Sequence, residues 1–164
     1  GRHRLQTGQQ TNQTIQIDRG QHVRRRYRNK GQPRAAQEQL AQLLIDNGVD
    51  LIIGHHPHVV QDISLYDNHL IIYSLGNFIF DQYFSEAVQT GLGVKLTQNN
   101  DDVTLSLVPV SSLETRTQPK LLIAEAKQAA LLELANNSDV NLQVMISEGS
   151  LTLTKELAIS PSIE

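Results

Sequence analysis

At 164 residues the chain has the size of one domain and is long enough to bury a core. It contains no Cys, which excludes disulfides, thiolate metal sites and a cysteine nucleophile while leaving the redox compartment open. No apolar run approaches the roughly 18 residues of a spanning helix, and the first residues lack a signal peptide's apolar core, so the chain as it stands is predicted to be soluble, with no membrane segment.

The net charge of −3 is unevenly spread: residues 1–34 hold nine of the 14 Lys and Arg and one of the 17 acids, giving +8 there and −11 in the remainder. This stretch is rich in Gln, Thr and Gly and nearly free of Leu, Val and Phe, so burial cannot offset the entropy of ordering it. Residues 1–32 are accordingly set apart as a basic, disordered or disturbed segment, and residues 33–164 as the folded part. From Pro33 to Gly48 the pattern is that of an amphipathic helix, with Pro33 in its first turn, Ala36, Leu40, Leu43 and Leu44 as its apolar face, and Gly48 able to take a left-handed closing position. Val49–Ile53 follows as a short β-branched run of the buried-strand type, ending at Gly54. Gln61–Tyr66 and Leu70–Tyr73 read as a hairpin around Asp67, Asn68 and His69, and Gly91–Thr97 with Val103–Val110 as a second one. A helix is predicted over Leu121–Ala135, and strands over Val140–Ile146 and Ser150–Leu157. Helix, Gly turn, buried strand and polar loop in succession predict a layered α/β domain, whose sites lie beyond the carboxyl ends of strands.

The segment richest in chemistry is Gly54-His55-His56-Pro57-His58. Three imidazoles in four positions directly after a buried strand make a poor core, and imidazole is the commonest metal ligand. Histidines one residue apart on a strand-exit loop can reach one ion, with Pro57 stiffening the link. A His-x-His pair alone favours solvated or packing histidines; the preceding strand, Gly54 and the third His turn the balance toward metal. Gly76-Asn77 fits a plain turn, since both residues tolerate left-handed backbone angles, or an amide aimed at a ligand near the histidine loop. Tyr73, Phe78 and Phe80 are assigned to the core, in a chain with three Phe and no Trp. Arg116 is assigned to a solvated strand face.

Three stretches carry a specific resemblance: Gln37–Ala41, Asp50–Gln61 and Tyr73–Asp81. Together they resemble the C-terminal half of the CapA family, poly-γ-glutamate capsule synthesis proteins with a calcineurin-like metallophosphoesterase domain. The resemblance covers roughly residues 33–155. It implies the C-terminal portion of a metallophosphoesterase-like αββα sandwich, with metals held by loops at strand ends. Matching the family's terminal Gly-His-x-His motif puts metal ligands on His56 and His58. His55 then precedes the pair as a catalytic residue, a phosphate contact or an alternative ligand, and Asn77 is a candidate substrate-binding residue. The implied chemistry is phosphoester hydrolysis assisted by divalent ions, with Mn, Fe or Zn all suited to imidazole and carboxylate ligands. Implied partners are a polyglutamate or phosphoester substrate and capsule-synthesis proteins, and the implied location is bacterial, extracytoplasmic or membrane-associated.

The chain departs from the family upstream. The Asp-x-His, Gly-Asp and Gly-Asn-His/Asn motifs that supply most metal ligands are missing. The family's His-Trp-Gly-x-Glu-Tyr block survives as His22-Val23-Arg24-Arg25-Arg26-Tyr27, which keeps His22 as a candidate ligand and loses the Glu. The strand expected before it is reduced to Thr14-Ile15-Gln16-Ile17. A truncated or frame-disturbed fragment, inactive by itself, is the resulting expectation. The alternative is a non-catalytic scaffold or binding module in capsule assembly. A basic arm on nucleic acid would show steeply salt-dependent affinity, but Tyr27 is the lone aromatic among these cations, so no nucleic-acid partner is expected.

Overall fold

Residues 14–17, 33, 35–81, 85–99 and 102–153 are described by the structure, a computed structural model. His22 and the rest of residues 1–32 other than Thr14–Ile17 lie outside the described residues, as does the continuation of the last predicted strand beyond Leu153. Helices are combined with two four-stranded sheets, which is the α/β class expected. No helix among the described residues is long and apolar enough to cross a membrane.

Thr14–Ile17 (β1) pairs in parallel with Leu51–Gly54 (β2), and Ala35–Asp46 (α1) lies between them in sequence. Ile63–Tyr66 (β3) and His69–Ile72 (β4) form the first hairpin, turned by Asp67 and Asn68 with φ of 47° and 61°. Because β4 also runs parallel to β2, the first sheet has the order β1-β2-β4-β3. Its two faces separate by alternation. Ile52, Ile71 and Tyr73 pack with Ala41, Ile45 and Val49 on the α1 side, while Leu51, Leu70 and Ile72 enter the larger core.

Thr90–Asn99 (β5) and Asp102–Ser111 (β6) form the long second hairpin, extended by Lys120–Leu121 (β7) and Ser150–Leu153 (β8), which both pair with β6. Leu92, Leu105, Leu107 and Leu151 of this sheet share the larger core with Leu131 and Leu134 of Ala124–Asn137 (α2) and with Ile146 of Gln143–Glu148 (α3). The end of α2 also closes the exposed side of β3. Ser138 Oγ accepts from the Ile63 N–H at 2.9 Å, and the Asp139 N–H donates to the Ile63 carbonyl at 3.0 Å.

Several sequence expectations are corrected. On α1 the buried residues are Ala41 and Ile45, with Leu40 and Leu44 beside them, whereas Ala36 is exposed and Leu43 is 58% exposed. Apolar residues at 40, 41, 43, 44 and 45 wrap most of a helix, and the sheet selects the i, i+4 pair that includes the small Ala41. The helix predicted from Leu121 starts at Ala124, because Lys120 and Leu121 pair with β6. Val140–Ile146 is helical, not extended: the Asp139 carboxylate accepts from the Asn141 N–H to start a turn, and Gly149 at φ 80° closes α3. Tyr73 is buried, but Phe78 is 60% and Phe80 39% exposed, so these two rings are not core. Arg116 lies exposed in the bend between β6 and β7, not on a strand.

The two sheets meet where Gly76 bridges Gly91 and the Leu92 N–H donates to the Leu75 carbonyl at 2.8 Å. A methyl at Gly91 would collide with the Asn77 carbonyl oxygen, while one at Gly93 would make ordinary contact with Val108. Gly91→Ala should therefore destabilise the chain by about 1–3 kcal/mol, the usual cost of overpacking. Gly93→Ala should lie near wild type, with urea midpoints as the measure of both.

Candidate metal and phosphate site

The histidine loop leaves the carboxyl end of β2, where Gly54 lets the chain pass close to the Tyr73 carbonyl. Both ends of the loop are tied to one short strip, Ser74–Asn77. The Leu75 N–H donates to the Gly54 carbonyl at 3.2 Å, and the Gln61 N–H donates to the Ser74 carbonyl at 3.1 Å. Val60 also bridges Leu75. Between these anchors His56 and His58 take φ of 103° and 61°, a region uncommon for residues other than Gly. Such conformations cost about 1–3 kcal/mol each and persist only where the surroundings impose them. Here Val59, 3% exposed, plugs the loop into the protein between the anchors.

The expected pair is brought together. The ring centroids of His56 and His58 lie 5.8 Å apart at an interplanar angle of 51°. Two imidazoles on one ion, each bound at about 2.0–2.1 Å, could span at most about 6.4 Å between centroids, so the observed separation admits a shared cation. His56 is exposed, while His55 and His58 are half-buried. His58 is the better fixed of the pair: its Nδ1 lies 2.9 Å from Oδ1 of Asn77, and Phe80 covers it at 4.4 Å between ring centroids. Asn77 in turn donates from Nδ2 to the Val88 carbonyl at 2.8 Å. Asn77 thus follows a left-handed turn residue, Gly76 at φ 68°, and also belongs to the histidine site.

The donor set suits a divalent cation as far as it goes. Two imidazole rings lie near each other, and one has its second nitrogen engaged by a fixed acceptor, as ligand histidines usually do. Among the described residues no group of three or more His, Cys, Asp and Glu side chains comes together to hold an ion. His22, the further candidate ligand, lies outside them.

A cavity of about 450 Å³ adjoins the loop without including the histidines, lined by Val59, Asp62, Glu86, Thr90, Pro109 and Glu133 among others. Asp62 had no place in the sequence reading. A lone Asp opening a hairpin gives no sign of burial, yet its Oδ1 is buried without a hydrogen-bond partner among the described residues. Burial, with a smaller push from Glu38, raises its pKa to about 6 against a partial lowering by its backbone hydrogen bond. Nearby, burial and the charges of Glu38 and Asp62 push the Tyr73 hydroxyl up to about 12.

Comparison with known proteins points the same way as these motifs. Residues 22–82 match the family described as bacterial capsule synthesis protein PGA_cap, a stretch that spans His22, the histidine loop and Asn77. The capsule biosynthesis protein CapA of Bacillus anthracis is 41% identical over 93 residues, covering 57% of this chain and 22% of that protein. The PGA biosynthesis protein CapA of Bacillus subtilis is 32% identical over 120 residues, covering 73% of this chain and 31% of that protein. The uncharacterized protein y4sH of Sinorhizobium fredii is 44% identical over 50 residues, or 30% of this chain and 11% of that one. The chain therefore spans between about a fifth and a third of the length of the two Bacillus relatives.

Asp62 yields a pH prediction. Its folded pKa exceeds the unfolded value of 3.8, so the folded state binds the proton more tightly, and stability is lost as pH rises from about 4 through about 6. Asp62→Asn removes that loss. Its melting temperature should exceed that of wild type by a few degrees at neutral pH, and the gap should close as pH falls toward 4. A gap that is constant with pH would mean that Asp62 does not titrate as described.

Proposed function

Since the chain belongs to the CapA family of bacterial capsule-synthesis proteins, we propose that it serves poly-γ-glutamate capsule synthesis through a divalent-metal centre of metallophosphoesterase type, with His56 and His58 as ligands. The observation that carries this reading is the pairing of the two rings at 5.8 Å, with His58 anchored to Asn77. The sandwich architecture of that superfamily is part of the proposal, as is His22 as a further ligand. When bound, a divalent ion such as Mn, Fe or Zn supplies charge stabilisation at a phosphoryl oxygen and acidifies water.

The chain's own residues divide the work. His56 and His58 hold the ion at the strand exit, and Phe80 shields one side of the His58 ring. His55, half-buried one step before the pair, contacts the substrate as the catalytic histidine, at its phosphate oxygens where the substrate is a phosphoester. Substrate is a phosphoester or the polyglutamate chain, other capsule-synthesis proteins are the partners, and the setting is extracytoplasmic. The carboxylate-bearing motifs of the family are not in this sequence. Two or three imidazoles hold an ion loosely, so this fragment by itself hydrolyses phosphodiesters negligibly.

A second reading, a non-catalytic scaffold in capsule assembly, is favoured by the exposed run Phe78, Ile79 and Phe80 directly beside the loop. Calorimetric titration of the 164-residue chain with Mn²⁺ and Zn²⁺ separates the two. The metal-centre reading expects weak binding near one ion per chain, lost by at least tenfold in both His56→Ala and His58→Ala, with no phosphodiesterase turnover. Metal binding indifferent to both substitutions, or none at all, overturns it in favour of the scaffold. Metal-dependent turnover by the isolated chain overturns the inactivity.

A further inference from the structure

The side-chain amide of Asn77 sits between two fixed groups, and their chemistry decides which way it faces. Its Nδ2 meets the Val88 carbonyl at 2.8 Å, and its Oδ1 meets His58 Nδ1 at 2.9 Å. A backbone carbonyl only accepts, so the group turned toward Val88 has to be the NH₂. That places the amide oxygen on His58, and an amide oxygen also only accepts. Nδ1 of His58 therefore carries a hydrogen, and in the neutral ring the lone pair remains on Nε2. Val88 is itself held in place, 1% exposed in the short 3₁₀ turn Glu86–Val88, whose end is closed by the Gln89 N–H donating to the Glu86 carbonyl at 2.9 Å.

We propose that Asn77 is a positioning residue that locks His58 in its Nδ1–H tautomer and so leaves Nε2 as the ring's ligand atom for a divalent cation. The tautomer follows from the hydrogen bonds alone; its use for a cation rests on the metal-centre reading above. This role is additional to the substrate contact expected of Asn77 from the sequence, and it uses one hydrogen bond at each end of the amide. Asn77 is 19 residues from His58 in sequence but acts as its backing. Where such backing is removed from a ligand histidine, metal affinity falls by about 10–100-fold.

Nitrogen-15 NMR of the full, metal-free chain at mildly alkaline pH reads the tautomer directly. His58 should show a pyrrole-type Nδ1 and a pyridine-type Nε2. Asn77→Ala should move it toward the Nε2–H form and weaken Zn²⁺ binding by about 10–100-fold. A wild-type His58 found as Nε2–H overturns the proposal without recourse to any variant, as does an Asn77→Ala chain with unchanged tautomer and affinity. A wild-type chain with the expected tautomer and no zinc binding sinks the metal-centre reading while leaving the tautomer assignment standing.

Discussion

Ser74–Asn77 is a strip of backbone hydrogen-bonded on both sides, and the placement of the site depends on it. On one side it holds Gly54 and Gln61, the two ends of the histidine loop; on the other, Leu75 and Gly76 meet the start of β5. Such close approach tolerates no side chain at several points. A Cβ on Gly54 would strike the Tyr73 carbonyl, and one on Gly91 the Asn77 carbonyl. Gly76 is confined twice over, by φ of 68° and by the Thr90 carbonyl at 2.9 Å from where its Cβ would stand. With both loop ends fixed to one strip, the residues between must turn sharply. The positive φ values of His56 and His58 are the local cost of that closure.

The same stitching explains why the amide of Asn77 reaches His58. Asn77 ends the strip, so it emerges beside the loop that the strip has just closed, and the turn at Glu86–Val88 brings a carbonyl to its other side. Ser74, fully buried, secures the turn by accepting from the Gly76 N–H at 3.2 Å. On the opposite face, Gln37 of α1 donates to Gln61 at 3.1 Å, tying the helix to the loop's exit. Buried polar side chains are costly unless satisfied, and Gln61 and Ser74 both have partners. Asp62, one residue further on, has a buried oxygen without one among the described residues. The strain and the unmet desolvation therefore collect within a few residues of the histidines.

Much of this was legible in the sequence where local chemistry dictates the outcome. The buried strand ending at Gly54, the Asp67-Asn68 turn and the β5–β6 hairpin follow from β-branched runs, alternation and turn residues, and the structure has all three. The pairing of His56 with His58 followed from spacing on a strand exit. Expectations failed where tertiary contacts choose between local options. The stretch around Val140 is apolar enough for a strand, but Asp139 and Gly149 cap it as helix. Phe78 and Phe80 are apolar without being buried, and Phe80 covers a histidine ring. The link from Asn77 to His58 was not derivable from spacing, because it needs the strip, the loop and the Val88 turn assembled at once.

Two imidazoles do not complete the coordination of a divalent ion, which in most protein sites takes four or more ligands. What the described part supplies is their arrangement. Among the described residues, contacts that fix the loop come from between Gln37 and Leu92: the anchors at Gly54 and Gln61, the plug at Val59, the strip, the Val88 carbonyl and the Phe80 ring. At its start the loop also borders β1, where Ile17 pairs with Gly54. Local packing and hydrogen bonding among the described residues support the positive φ values. If the proposed metal centre holds, whatever completes the cation's coordination meets histidines already turned, with the amide of Asn77 deciding which nitrogen of His58 is free.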